Sequence, residues 1–197
     1  IDSVYGYLSI FGGFQLKEIK GSVSTLVRAK IGPNKGGKLN TEDKIFFNKS
    51  NSEMKINKLK FDFSESNTIR VMQGLQFDYF SEKSKKDFFL KEYKVTKLTD
   101  RMGMRLEGEK LENIISKNIK SEGITKGSIQ IPGDGQPIVL LSDHPTIGGY
   151  PKIANVITAD YDQLVQKIPG SKLKFKLVDL AVAESSFQDY IKKLNFS

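Results

Sequence analysis

Leu173, Phe175 and Leu177 alternate with Lys172, Lys174 and Lys176, the period-two pattern of a strand with one buried and one solvated face. The same alternation runs through Ser128-Ile-Gln-Ile131 and meets Pro132-Gly133-Asp134-Gly135. There proline presets φ and glycine supplies φ > 0, so a tight turn is expected. Ile138 to Leu141 then form an unbroken aliphatic run, which predicts a strand buried on both faces. Further strands are expected over Tyr5–Phe11, Ser24–Lys30, Lys44–Phe47, Thr68–Met72, Tyr93–Leu98, Met104–Leu106 and Ala154–Thr158. Helical signals are fewer. Ser81 is a candidate N-cap for Glu82 to Lys91, with Phe88 and Phe89 facing inward. Asp160 and Gln163 suggest a capping-box-like start to a short helix, and an amphipathic helix from Ala181 to Leu194 closes the molecule. The pattern predicts a mainly β protein with a few short helices, as a barrel or sandwich.

Between Asn48 and Asn67 the composition shifts to Asn, Ser, Lys and Glu, which marks the expected boundary between two subdomains. A hydrophobic content of 38% in 197 residues suffices for one large core or two small ones. No apolar run approaches the roughly 18 residues of a membrane span, so no membrane association is expected. The chain opens on Ile1 without a basic-then-apolar leader, which suggests that it begins inside a longer, cytoplasmic protein. It has no cysteine and one histidine, His144. Thiolate chemistry, disulfides and multi-His metal centres are therefore excluded within it, and no tightly bound metal is expected. The net charge of +8 is spread over lysines that alternate with acidic and polar residues. That is the pattern of solvated faces, not of a nucleic-acid footprint.

Three stretches carry candidate chemistry. Gly32-Pro-Asn-Lys-Gly-Gly-Lys38 has the glycine and lysine spacing of a phosphate-binding P-loop. Leu39 stands where a P-loop needs Ser or Thr, and no helix start follows, so the match is rejected. Asp100-Arg101, ahead of Gly103, is either a surface ion pair or an arginine fork aimed at a carboxylate or phosphate. The richest stretch is Asp143-His-Pro-Thr-Ile-Gly-Gly-Tyr-Pro-Lys152. There Asp143 leaves a buried strand, His144 adds a titratable imidazole and Thr146 a hydroxyl. Gly148 and Gly149 would form an anion-binding nest, and Tyr150 and Lys152 complete the set.

Several of these segments together resemble a known family. Gly127 to Leu141, Thr146-Ile-Gly-Gly-Tyr-Pro-Lys-Ile-Ala154, Asp100-Arg-Met-Gly-Met-Arg-Leu-Glu-Gly108, Ile69-Arg-Val-Met-Gln-Gly74 and Tyr7-Leu-Ser-Ile-Phe-Gly-Gly13 are similar to the biotin-dependent carboxyltransferase family. Its members are also called allophanate hydrolase subunit 2, KipA-like proteins or the C component of 5-oxoprolinase. The resemblance implies cyclophilin-like β-barrel subdomains in the C-terminal two-thirds of a longer protein. A partial first subdomain would cover residues 1–62 and a second barrel residues 68–197. It implies a subunit of an ATP-dependent amide-processing enzyme, either like the C component of 5-oxoprolinase, which opens 5-oxoproline to glutamate, or like the carboxyltransferase part of allophanate hydrolase or urea carboxylase. ATP, and with it magnesium, would be the cofactor, and biotin would arrive on another chain. The implied partners are a sister carboxyltransferase-type subunit (KipI-like, or the B component of 5-oxoprolinase) and a third hydrolytic subunit.

On that reading Asp143 or Asp134 would handle protons, with His144 beside them. Gln130, Gln136 and Tyr150 would bind the polar edge of the amide, and Arg101 and Lys152 its carboxylate or phosphoryl oxygens. Thr146, Gly148 and Gly149 would complete the cleft. Many relatives carry Asp-Arg-Gln-Thr where this chain has Asp143-His-Pro-Thr146, so the role of His144 is not carried over from them. The alternative is a non-catalytic module that acts by protein contact, as an antagonist of a kinase inhibitor.

Overall fold

The computed structural model describes residues 4–50, 66–116 and 118–194. Contacts divide the chain into two units, Gly6–Lys58 and a larger unit of Leu59–Ser197 with Ile1–Tyr5. The larger unit is built on β1 (Thr68–Gln73), β2 (Tyr93–Thr99), β3 (Gly103–Glu107), β4 (Glu122–Gly123), β5 (Ser128–Gln130), β6 (Ile138–Leu140), β7 (Ile147–Gly148), β8 (Lys152–Val156) and β9 (Lys172–Leu177). Its helices are α1 (Glu82–Leu90), α2 (Thr158–Val165) and α3 (Leu180–Leu194). Seven strands close into a barrel in the order β1-β8-β5-β6-β3-β2-β9, and the parallel pair β1–β9 completes the ring. β4 and β7 pair separately as a short two-stranded ribbon.

Alternation decides which side chains enter the barrel. Ile69 and Val71, Tyr93 and Val95, Met104 and Leu106, Ala154 and Val156, and Leu173 and Phe175 are all buried in one core with Ile129 and Val139. Phe88 of α1 stacks on Phe175 with ring centroids 4.7 Å apart. The interior is therefore filled with side chains, as expected of a small barrel, and ligand groups have to sit on its outer face or rim. The β5–β6 hairpin forms as predicted, with Ile129 opposite Val139. Gly135 turns it at φ +78°, close under the backbone of Leu111.

Ser81 caps α1, its Oγ accepting from the Ser84 N–H at 3.2 Å. The capping box expected at α2 is not formed. The N-cap is Ile157, and Asp160, 5% exposed, lies inside the first turn and binds Arg70 of β1. Arg70 donates to it through its backbone N–H (2.8 Å), Nε (3.0 Å) and Nη2 (2.5 Å), and through Nη1 to Ser186 Oγ of α3 (2.7 Å). The Arg70 guanidinium thus ties the first strand to both C-terminal helices, through Asp160 of α2 and Ser186 of α3. Among the described residues no helix is long and apolar enough to cross a membrane.

In Gly6–Lys58 the expected strands over Tyr5–Phe11, Ser24–Lys30 and Lys44–Phe47 are not formed. The described residues make isolated bridges, Phe14 with Phe47, Ile19 with Ser22 and Leu26 with Ile31, and 3-10 turns at Val27–Ala29 and Asn34–Gly36. Left-handed backbone recurs at Gly12, Lys20, Lys30, Asn34, Lys35 and Glu42 and interrupts any ladder within a few residues. The boundary expected between residues 62 and 68 falls largely in 51–65, outside the described residues.

A candidate binding cleft on the outer face of the barrel

Strand alternation that turns Ile129 inward turns its neighbours Ser128 and Gln130 outward. Both are nonetheless buried, at 3% and 5% exposure. On β8, opposite them, stand Asn155 and Lys152: Ser128 is register partner of Asn155, and Gln130 of Lys152. A cleft of about 190 Å³ opens here, lined by Ser128, Asn155, Lys152 and Thr125 and bounded by Gln73–Leu75 and Gly123.

Lys152 is 5% exposed, and its ammonium binds Glu122 of β4. Gln76 locks this pair in place. Its N–H donates to the Lys152 carbonyl and its Oε1 accepts from the Lys152 N–H, each at 3.2 Å, while its Nε2 donates to Glu122 Oε1 at 2.9 Å. The hydrogen bond from Lys152, with that from Gln76 next, holds the Glu122 carboxyl below the usual glutamate range. A carboxylate held that way is a weak proton acceptor, so Glu122 orients the ammonium and is not suited to act as a base. Ser128 Oγ donates to Asn155 Oδ1 at 2.9 Å and lies 3.1 Å from Thr125 Oγ1, so the hydroxyls and the amide are fixed relative to each other. Gln130 Nε2 is buried without a hydrogen-bond acceptor, and a Cβ on Gly148 would sit 2.6 Å from it. Gly148 is therefore glycine because a side-chain amide occupies that space.

The residues singled out in the sequence divide into four places. Lys152, Gln130 and Gly148 belong to or adjoin this cleft. Arg101 and Asp143 meet past the far end of β6, where Nε donates to Oδ2 at 2.7 Å and Nη2 to Oδ1 at 2.9 Å. The Asp143 N–H also donates to the Arg101 carbonyl, so the pair pins the β2–β3 corner to the exit of β6. Asp100 receives the Met102 and Gly103 N–H groups. His144 Nδ1 lies 2.6 Å from the Pro145 carbonyl oxygen.

The third place is the hairpin tip. Asp134 is exposed and accepts the Gln136 N–H at 3.0 Å. Gln136 grips the Gly108 backbone from both sides, at 2.9 and 3.1 Å, so its amide is occupied by structure instead of facing a ligand. Asp134 and Asp143 thus stand at opposite ends of one hairpin, because a turn and the open end of its strands are by construction its two ends. Tyr150 and Thr146 are exposed on the segment around β7, and the Thr146 carbonyl accepts from Ile124 N–H at 3.1 Å. The nest expected at Gly148–Gly149 is not formed. Gly148 is paired with Glu122 in the ribbon, neither glycine has a positive φ, and the Gly149 carbonyl accepts from Ile119 N–H. A nest needs a left-handed residue in the pair.

Gln76, Glu122, Thr125, Ser128 and Asn155 were not anticipated from the sequence. Gly32–Lys38 builds no phosphate cradle. Gly36 sits where a Cβ would come within 2.1 Å of the Lys30 carbonyl carbon, so its glycine serves the turn itself. The chain does contain a Met-Lys dipeptide of the kind that carries biotin, Met54-Lys55, and it lies outside the described residues. Gly6–Lys58 contains a larger hollow, about 450 Å³, but its lining is chiefly apolar, including Leu8, Phe14, Leu39 and Phe46.

The barrel interior is filled with side chains, and the small cleft lies on its outer face. Barrels of the same build occur in the urea amidolyase and urea carboxylase of Kluyveromyces lactis, with TM-scores of 0.76 and 0.75 at 25% identity. Each of those matches covers 94% of this chain, and 13% and 19% of the larger proteins respectively. The chain belongs to the family described as carboxyltransferase domain, subdomain A and B, whose model matches residues 2–177. It is 38% identical over 91% of its length to a Haemophilus influenzae protein named as the C component of 5-oxoprolinase, and 33% identical over 93% to the Escherichia coli protein of that name. The chain spans 58% and 59% of those two relatives.

Proposed function

We propose that this chain is part of a cytoplasmic, ATP-dependent amide-processing enzyme, equivalent to the C component of 5-oxoprolinase in an assembly that opens 5-oxoproline to glutamate. The observation that carries the reading is a buried Lys152, paired with the partly exposed Glu122, beside a small cleft that Ser128, Thr125 and Asn155 line, in a chain whose relatives are named for amide chemistry. Lys152 supplies N–H donors to a carbonyl or carboxylate oxygen, and Asn155, Ser128 and Thr125 meet the remaining polar edge. Arg101 and Asp143 fix the approach of the His144–Thr146 loop.

The Gly32–Lys38 turn lacks the hydroxyl residue and helix start of a P-loop, which supports placing nucleotide binding on another chain of the assembly. The partners on this reading are a sister carboxyltransferase-type subunit and a third, hydrolytic one. The regulator reading, in which the protein acts by contact alone, draws on the exposed Leu75 (81%) and Ile147 (61%) near the cleft.

ATP hydrolysis by the full-length chain co-purified with its sister and hydrolytic subunits separates the two. Severalfold stimulation by 5-oxoproline is expected. A complex that 5-oxoproline, urea and allophanate all fail to stimulate would remove the enzyme in favour of the regulator.

A further inference from the structure

Strand β9 carries a row of lysines that the barrel brings against other cations. Lys172, Lys174 and Lys176 are exposed on its outer face, while Leu173 and Phe175 between them are buried in the core. Alternate residues of a strand stand roughly 7 Å apart, within the Debye length of about 8 Å at physiological salt, so the three charges act together. Their register across the sheet is unusual for a solvated face. Lys172 stands opposite Lys94 of β2, and Lys176 opposite Arg70 of β1. Like charges in directly opposed positions of a sheet are destabilising, so the stability of the barrel does not account for this row.

Part of this charge is answered within the chain. Glu92 lies 3.5 Å from Lys172, Glu107 is the register partner of Lys94 on β3, and Asp160 binds Arg70. Among the described residues Lys174 and Lys176 have no ion-pair partner. Lys167 adds a further cation beside Lys174. Its Nζ donates at 3.1 Å to the side chain of Asn67, whose carbonyl accepts from the Lys174 N–H at 2.8 Å. The outward positions of β1, β9 and β2 hold no aromatic ring, so the bases of a nucleic acid would find no stacking platform. Lysine ammoniums are compact point charges that meet single carboxylates without a fork geometry. Acidic residues at alternate positions of an extended chain repeat at the lysine spacing.

We propose that the outer face of β9, centred on Lys174 and Lys176, is a docking surface for an acidic, extended segment of the sister subunit. The segment sets carboxylates against the lysine row and relieves the repulsion that the register creates. The inference rests on the multi-subunit reading and adds where the contact lies and what chemistry it takes. Charges at such a surface act mainly on the rate of encounter and on the salt dependence of binding.

The test uses the full-length chain with its sister subunit, and the double variant Lys174→Glu with Lys176→Glu. At low ionic strength the association rate is expected to fall about tenfold or more, and its salt dependence to flatten. The melting temperature of the free chain should stay equal or rise, because the like-charge contact with Arg70 is removed. Amine-reactive labelling read by mass spectrometry should mark Lys174 and Lys176 in the free chain and spare them in the complex. An unchanged rate and salt dependence in the double variant overturns the surface while leaving the enzyme reading intact. So does labelling of both lysines in the complex, or their protection in the free chain. If the two subunits form no complex, the multi-subunit reading fails separately, and titration with a decapeptide of alternating Glu and Ser decides the surface. Binding that the double variant weakens severalfold upholds a site for acidic segments. No binding, or tighter binding of oligothymidylate, overturns it.

Discussion

Gln76 and Lys152 hold each other through both backbones, the N–H of one donating to the carbonyl of the other and the Gln76 side chain accepting the return bond, each at 3.2 Å. Gln76 is 8% exposed and Lys152 5%, so neither bond is readily replaced by water. Gln76→Ala strands the Lys152 N–H and is expected to cost about 1–3 kcal/mol in chemical denaturation. Gln76→Glu retains the acceptor but loses the donor to Glu122 and places two carboxylates together, so the Glu122 pKa should rise in a titration followed by NMR.

Glu122 also gives the protein a pH signature. Its folded-state pKa is held below the ordinary value of 4.5, chiefly by the hydrogen bond from Lys152 and next by that from Gln76. As pH falls the unfolded chain takes up the proton first. The contribution to stability is therefore complete above about pH 4.5 and is lost as pH drops through the depressed value. Denaturation series between pH 2 and 6 should show a shallower acid slope for Glu122→Gln than for the wild type. Equal slopes would mean that the pair does not form in solution.

Arg70 and Asp160 should dominate stability more than any group in the cleft. Asp160→Ala removes the carboxylate that binds Nε and Nη2 of a guanidinium still about one-third exposed, which is expected to cost about 2–3 kcal/mol, below the range for a fully buried pair. Arg70→Met with Asp160→Leu removes both charges and should recover much of that loss. A double replacement as damaging as the sum of the singles would contradict the assignment of a shared pair.

Two glycines give a contrast within the walls of the cleft. A Cβ on Gly74 would lie 2.3 Å from the Lys152 carbonyl oxygen and 2.8 Å from the Ala154 nitrogen, both backbone atoms that cannot step aside. Gly74→Ala is expected to destabilise by about 1–3 kcal/mol or more, measured by thermal unfolding. A Cβ on Gly123 meets nothing within 4 Å, and Gly123→Ala should change stability by no more than about 0.5 kcal/mol.

The barrel was largely legible in the sequence because its strands are long enough to show a period. Lys172–Leu177, the Ser128–Leu141 hairpin and the Ser81 cap all announced themselves. The cleft was not, for a physical reason: the outer face of β5 reads as solvated from Ser128 and Gln130. It is buried by a ribbon whose strands, Glu122–Gly123 and Ile147–Gly148, are two residues each and carry no periodic signal. Lys152 and Gln130 were recognised as chemistry. Their companions Gln76 and Glu122 come from two other segments, which local pattern does not link, and Asn155 lies three residues beyond Lys152 on β8. The grouping of Asp134 with Asp143 followed sequence proximity, whereas a hairpin separates its tip from its open end.

The central claim, that recognition lies at Lys152 and not at Asp143, is tested most directly by steady-state kinetics of the assembled full-length enzyme carrying either Lys152→Met or Asp143→Asn. Lys152→Met should raise the KM for the amide by about tenfold or more, the loss of a charged hydrogen bond, and Asp143→Asn should leave KM and kcat within about threefold, as for an exposed ion pair. A hundredfold fall in kcat for Asp143→Asn, with Lys152→Met near the wild type, would contradict it.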